Sequence, residues 1–204
     1  MLSVQTMARR IRQRLHDTDE ITYDNEEILD GINNGIRFIR RMIAKYNPAL
    51  LMSETGGTLE AGTKSVTLEK HPTKIINVTI DDDEKPLHET DIAFAVHAKS
   101  KTAEKPTGFY LTGTKTINFF PTPTTETKYK ILTVDDIEEI GWDGESPLLT
   151  EFDDFLIEYV TIRLSVGEEY DMTQETQLMA NIVAQIQEIL IPPPVGILIR
   201  GYWQ

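Results

Sequence analysis

The stretch "YDNEEILDGINNGIRFIRRMIAKYNP", residues 23–48, reads as one long amphipathic helix. Asp24 or Asn25 can cap its start, and Glu26 and Glu27 follow in the first turn, where carboxylates suit the positive end of the helix dipole. Ile28, Leu29, Ile32, Ile36, Ile39 and Ile43 recur at helical spacing and predict a buried stripe. Pro48 forbids continuation. Upstream, residues 3–16 carry Val4, Met7, Ala8, Ile11 and Leu15 at the same period, with Arg9, Arg10, Arg12 and Arg14 on the remaining faces. Arginines toward the C-terminal half of a helix also suit its dipole.

Downstream the texture changes. "SETGGTLEAGTKSVTLEK" (53–70) offers turn residues and then an alternating strand, and "TKIINVTID" (73–81) reads as another strand. "ETDIAFAVHAKS" (89–100) predicts a short helix carrying Ile92, Phe94 or Ala95, and Val96. "GFYLTGTKTINFFPTPTTETKYKILTV" (108–134) reads as strand, Gly-Thr turn, strand, Pro-Thr-Pro turn, strand: an antiparallel meander. Helical spacing returns over 147–170, with Leu148, Phe152, Phe155, Leu156, Tyr159 and Leu164 as core candidates. It returns again at about 173–191, with Leu178, Ile182, Val183, Ile186, Ile189 and Leu190, until Pro192 stops it.

Helices, then strands, then helices predict an α+β fold. The expected organisation is a helical bundle domain from residues 1–52 and 145–191, an inserted antiparallel β module at 53–144, and an extended C-terminal tail at 192–204.

At 204 residues the chain can bury a substantial core, and its 40 % hydrophobic and 26 % charged content is ordinary for a globular protein. No run of 18 apolar residues occurs, and the start lacks the apolar core of a secretory signal. With no cysteine there is no disulfide framework and no thiolate metal site, so a cytosolic setting during synthesis is expected. In that setting the acceptor pattern Asn77-Val78-Thr79 carries no weight. The net charge of −13 is concentrated: residues 135–191 hold fifteen acidic side chains and one basic, while the preceding segments nearly balance. That argues against a nucleic-acid clamp, whose affinity comes from clustered Lys and Arg. It fits either a solvated helix face or a surface that DNA passes without adhering.

Catalytic patterns are missing. His16, His71, His88 and His97 are scattered, with no H-E-x-x-H. "DDDEKP" (81–86) holds oxygens that suit a hard cation, but it lacks the spacing of a calcium loop and reads as a charged hairpin tip. Gly108 and Gly113 have phosphate-loop spacing, yet Thr114 intrudes before Lys115 and the loop leads into a strand. No G-x-S-x-G elbow occurs, and Asp153-Asp154, adjacent on a helix, point apart. No cofactor and no metal site are expected.

The wording of the elements carries a resemblance. Tyr23, Asp24, Asn25, Glu26, Glu27, Ile28, Leu29, Ile32 and Asn33 resemble the second-helix signature of head-to-tail adaptor (connector) proteins of tailed bacteriophages. There an aromatic and a short acidic cap precede E-[IL]-[IL]-x-x-[IL]-N. Pro106, Phe109 or Tyr110, Leu111, Gly113, Phe120, Pro121 and Pro123 resemble the same family's meander, and "PLLTEFDDFLIEYV" fits its two-helix C-terminal segment. The resemblance covers roughly residues 3–190. It departs in the third helix, which is Ala-rich in the family and here carries Glu151, Asp153, Asp154 and Glu158. The tail matches no family pattern either.

The resemblance implies a non-catalytic virion protein. It would be a homo-oligomeric ring, typically of twelve copies, docked under the portal protein at the head–tail neck and assembled in the host cytoplasm. It would extend the DNA channel and give the tail or nozzle protein its platform. DNA would pass without specific binding, and no membrane is involved. Glu151, Asp153, Asp154 and Glu158 become candidate channel-lining residues. Another neck or tail-completion protein, or less readily a metal-dependent enzyme, is the alternative.

The segment "IPPPVGILIRGYWQ" (191–204) suits such an assembly. Pro192, Pro193 and Pro194 end the helix and make an extended spacer. Val195, Ile197, Leu198, Ile199, Tyr202 and Trp203 each contribute roughly 1.5–3 kcal/mol if fully buried. Ordering the backbone costs about 1–2 kcal/mol per residue and offsets most of it. One tail alone therefore binds weakly, while a ring of tails gains avidity. These residues, with Arg200, are the candidate contacts to the portal or to a neighbouring subunit. The competing reading has the tail folding back over its own helices.

Overall fold

The computed structural model describes residues 2–81, 85–97, 102–165 and 172–191. Over these residues it is a mixed α+β protein with five helices. The chain divides into two compact units, one formed by residues 1–47 and 139–204, the other by 48–138.

In the first unit, α1 (Val4–Arg14) is capped by Ser3, whose side chain accepts the Thr6 N–H. Helix α2 (Asn25–Tyr46) begins with a full capping box: Asp24 accepts from the Glu27 N–H, and Glu27 accepts from the Asp24 N–H. A 3₁₀ turn (Thr150–Phe152) leads into α4 (Asp153–Ser165), and α5 (Met172–Leu190) follows. Residues 147–149 are not helical, and 166–170 of the predicted helix lie outside the described residues.

Helix α4 packs against α1, α2 and α5, so it is apolar around most of its girth. Its buried apolar residues are Leu156, Ile157, Val160 and Ile162, whereas the predicted Phe155, Tyr159 and Leu164 are half-buried. On α2, Gly31 and Gly35 let α4 come close. A Cβ at Gly35 would lie 2.5 Å from Leu156 Cδ1, and one at Gly31 would lie 2.8 Å from Val160 Cγ1. Helix α5 buries Ile182, Ile186 and Leu190 but leaves Leu178 and Ile189 exposed, and Ile191, one residue past its end, is exposed as well.

The second unit opens with a 3₁₀ turn (Pro48–Leu51) and contains nine strands among the described residues. These are β1 (Met52–Leu59), β2 (Ser65–Thr67), β3 (Pro72–Ile80), β4 (His88–Glu89), β5 (Thr102–Ala103), β6 (Gly108–Thr112), β7 (Thr116–Phe120), β8 (Thr122–Pro123) and β9 (Thr127–Asp135), with α3 (Ile92–His97) between β4 and β5. One sheet has the order β1-β9-β3 and is antiparallel, a second the order β2-β7-β6-β4, and β5 pairs with β8. The core is Leu59, Leu68, Val78, Ile80, Phe109, Ile117, Phe119 and Ile131.

Several expectations for this region need correction. The "SETGG" turn is strand β1, because Gly57 passes under the Tyr129 side chain, where a Cβ would lie 2.5 Å from its hydroxyl. The meander is also broken. β6 and β7 form a hairpin, but β9 leaves them to lie between β1 and β3. Pro121 and Pro123 have no N–H to extend the ladder, and Thr122–Pro123 pairs instead with Thr102–Ala103. The short helix predicted over 89–100 is α3, on which Ile92 and Phe94 are exposed and the Phe94 ring meets Phe120 edge-on. Of "DDDEKP", Asp82, Asp83 and Glu84 lie outside the described residues. Asp81 is committed locally: it accepts from the Lys128 N–H at 2.8 Å and pairs with Lys105 at 3.0 Å. Burial acts to raise its pKa, but the bonds from Lys105 and Lys128 outweigh it and hold the carboxyl below its ordinary range.

Candidate functional site

The most highly organised polar cluster braces the loop between α1 and α2. Arg12 lies on the apolar side of α1, at the four-residue spacing that follows Val4 and Ala8, and is buried. This corrects its placement among the outward arginines. One Arg12 Nη1 donates to Asp17 Oδ2 and to the Tyr23 carbonyl, each at 2.8 Å, and Nη2 donates to Asn25 Oδ1 at 3.0 Å. Asp17 in turn accepts the N–H groups of Ile21 and Thr22, both at 2.9 Å, and of Tyr23 at 3.2 Å. The Thr22 N–H, with the Tyr23 and Ile21 amides and the Arg12 charge, holds the Asp17 carboxyl below its ordinary range despite burial. His16 and Glu20 take positive φ values of 56° and 58° as the chain reverses. At the tip, Ile21 is 84 % exposed on a backbone that the carboxylate pins.

The motif residues of α2 act in the same architectural way. The Tyr23 hydroxyl donates to the Leu164 carbonyl at 3.0 Å. Asn33, buried in mid-helix, grips the backbone of Ile140 twice: Nδ2 donates to its carbonyl at 3.1 Å and Oδ1 accepts its N–H at 3.0 Å. Arg37 pairs with Glu139 beside it. The returning chain is thus docked onto α2 before α4 begins. Val4 N–H donates to the Gly144 carbonyl and Ser146 N–H to that of Leu2, which anchors α1 to the same passage.

The four candidate channel carboxylates differ in exposure. Glu151 is exposed, Asp154 is exposed and 3.6 Å from Arg10, and Glu158 is half-buried. Asp153 is 2 % exposed and accepts the Leu2 N–H at 3.2 Å, so it is turned into the helical unit. The other candidate contacts, Pro192, Pro193, Pro194, Val195, Ile197, Leu198, Ile199, Arg200, Tyr202 and Trp203, lie outside the described residues.

Sequence reading missed three surfaces. Ile21 is one. A second is a cleft of about 450 Å³ between α2 and α4, which gathers Arg37, Arg41 and Arg163 around Asn34, Phe38 and Tyr159 in an otherwise acidic chain. The ring of Phe38 stacks on Tyr159 there at 4.9 Å. The third is the set of exposed apolar side chains Leu178 and Ile189 on α5 and Ile191 just past it. Only the first had a local signal, an isoleucine alone in the polar loop "HDTDEIT".

Among the described residues no group of three or more His, Asp or Glu is placed to hold a metal ion, and no helix is long and apolar enough to cross a membrane. A family model described as SU10 adaptor protein matches residues 2–190. No curated protein matches the chain.

Proposed function

The chain belongs to the SU10 adaptor protein family, a family of phage structural adaptors, and from that premise we propose that it is the ring that docks under the portal of a tailed phage. The family implies a virion component that associates with other head or tail proteins. In our reading the helical unit is a bundle that surrounds an extension of the DNA channel, and the β unit is a module inserted into it. The ring, of about twelve copies by family resemblance, presents the platform for the tail or nozzle protein. The protein performs no catalysis, needs no cofactor, and assembles in the host cytoplasm before becoming part of the neck.

The observation that carries this reading is the extent of the match. It covers both units and stops at Leu190, the last residue of α5. Past that helix the chain turns to the proline-led apolar segment, which we assign to gripping the portal or a neighbouring copy. Within the helical unit, the exposed Glu151 and Asp154 and the half-buried Glu158 supply the repulsion that keeps the DNA phosphates from adhering.

Electron microscopy of the purified chain with purified portal tests the proposal. The expected result is a stoichiometric ring on the portal, lost or strongly weakened when residues 192–204 are deleted. Absence of any ring on the portal with the full chain overturns the reading, and undiminished docking of the truncated chain removes the tail from it.

A further inference from the structure

A sheet edge offers unpaired N–H and C=O groups to any passing strand, and proteins blunt such edges by shortness, proline, irregular register or cover. The edges of the β unit differ sharply in this respect. In the β2-β7-β6-β4 sheet, the edge strands β2 and β4 have only three and two residues. Edge strand β3 starts at Pro72 and carries two register shifts, and its Val78 carbonyl already accepts the Leu87 N–H at 2.7 Å. Edge strand β1 has neither the shortness nor the irregularity. Its eight residues run in unbroken register from Met52↔Val134 to Leu59↔Thr127, with no proline. Its single charged residue, Glu54, is paired with Lys130 of β9 at 2.8 Å. Leu50 and Met52 are exposed at its start, at 44 % and 42 %.

We propose that the outer edge of β1 is the acceptor for residues Val195–Trp203 of a second copy, which add to it as a fourth strand. The proposal rests on the partner-binding role assigned to the segment after α5, and it names the partner. Three features favour that occupant. The nine residues match the eight of β1 in length, so at about 3.3 Å per residue neither outruns the other. Val195, Ile197 and Ile199 alternate, which gives one β-branched face. Consecutive prolines favour an extended backbone and cannot donate to a ladder, so Pro192–Pro194 suit an approach to the edge rather than a place in it. Exchange between copies also has a logic that self-coverage lacks: in a closed ring each copy gives one strand and receives one, so no β1 edge remains open.

The chain contains no cysteine, which makes the test direct. Chains carrying Thr58→Cys, at the exposed end of β1, are mixed under assembly conditions with chains carrying Ile197→Cys, Leu198→Cys or Ile199→Cys, then oxidised. Paired strands bring Cβ atoms within disulfide reach, so a mixed disulfide between the two chain types is expected for at least one register. In parallel, a chain ending at Ile191 receives the synthetic peptide 192–204, and its β1 amides should exchange about tenfold more slowly. Rings without a mixed disulfide, and β1 exchange unchanged by the peptide, overturn the proposal while leaving portal docking intact. A disulfide formed within single chains that carry both cysteines, at a dilution where no rings exist, overturns it in favour of self-coverage. Mixed disulfides with no ring on the portal would instead retain the strand exchange and sink the docking reading.

Discussion

Asp17 and Arg12 are a buried ion pair whose product is a loop shape. The carboxylate fixes three successive amides and the guanidinium closes the loop onto α2, so Ile21 is presented on a rigid tip. Because the folded-state pKa of Asp17 is lowered, its contribution to stability is fully present above the unfolded value of about 3.9 and is lost as pH falls through the folded value. The gap in urea midpoint between wild type and Asp17→Asn should therefore be widest near neutral pH and shrink below about pH 4. A gap that stays constant down to pH 3 would show that the ionised form is not what matters. Asn33 makes a second residue-scale prediction. Asn33→Ala leaves the Ile140 N–H and carbonyl without their partners and should cost about 1–3 kcal/mol in chemical denaturation. Asn33→Asp, able to accept but not to donate, should fall between the two.

At the scale of elements, α2 and α4 approach through Gly31 and Gly35, and helix propensity there is sacrificed to packing. Alanine at both positions gains about 1 kcal/mol each in propensity. Overpacking against Val160 and Leu156 opposes it at about 1–3 kcal/mol per site, Val160 being stiff at χ1. The double variant should be less stable by about 2 kcal/mol, seen as a lower melting temperature; a higher one would mean that α4 simply recedes. The helices themselves were legible, since α2 and its isoleucine stripe can be read from residues 23–48 alone. The partition of strands was not. Alternation says which face of a strand is buried and nothing about which strand lies beside it. Chain order alone therefore sets β9 beside β7, when it lies between β1 and β3. Arg12 was hidden for a related reason: a charge at an apolar position looks outward until its partner, five residues on and past the helix end, is known.

For the whole molecule the deciding quantity is where the charge sits. The excess lies in residues 135–191, and of the four carboxylates singled out there Asp153 is spent internally. Adjacent residues on a helix point apart, so the sequence held the warning, but which of the pair faced inward depended on the Leu2 amide. Neutralising the remaining three (Glu151→Gln, Asp154→Asn, Glu158→Gln) should leave folding and ring formation unchanged. It should also slow genome release by roughly threefold at low salt, less at about 0.15 M where screening sets in. Release kinetics equal to wild type would dismiss a channel role for these groups. The division of the chain has a temporal consequence as well. Ribosomes deliver α1 and α2 first, yet the α4 surface that covers their stripes arrives only after the 91 residues of Pro48–Glu138. The β unit is contiguous and can condense while translation continues. The two early helices must wait with their isoleucines uncovered, in need of a chaperone or of speed, until Asn33 captures Ile140.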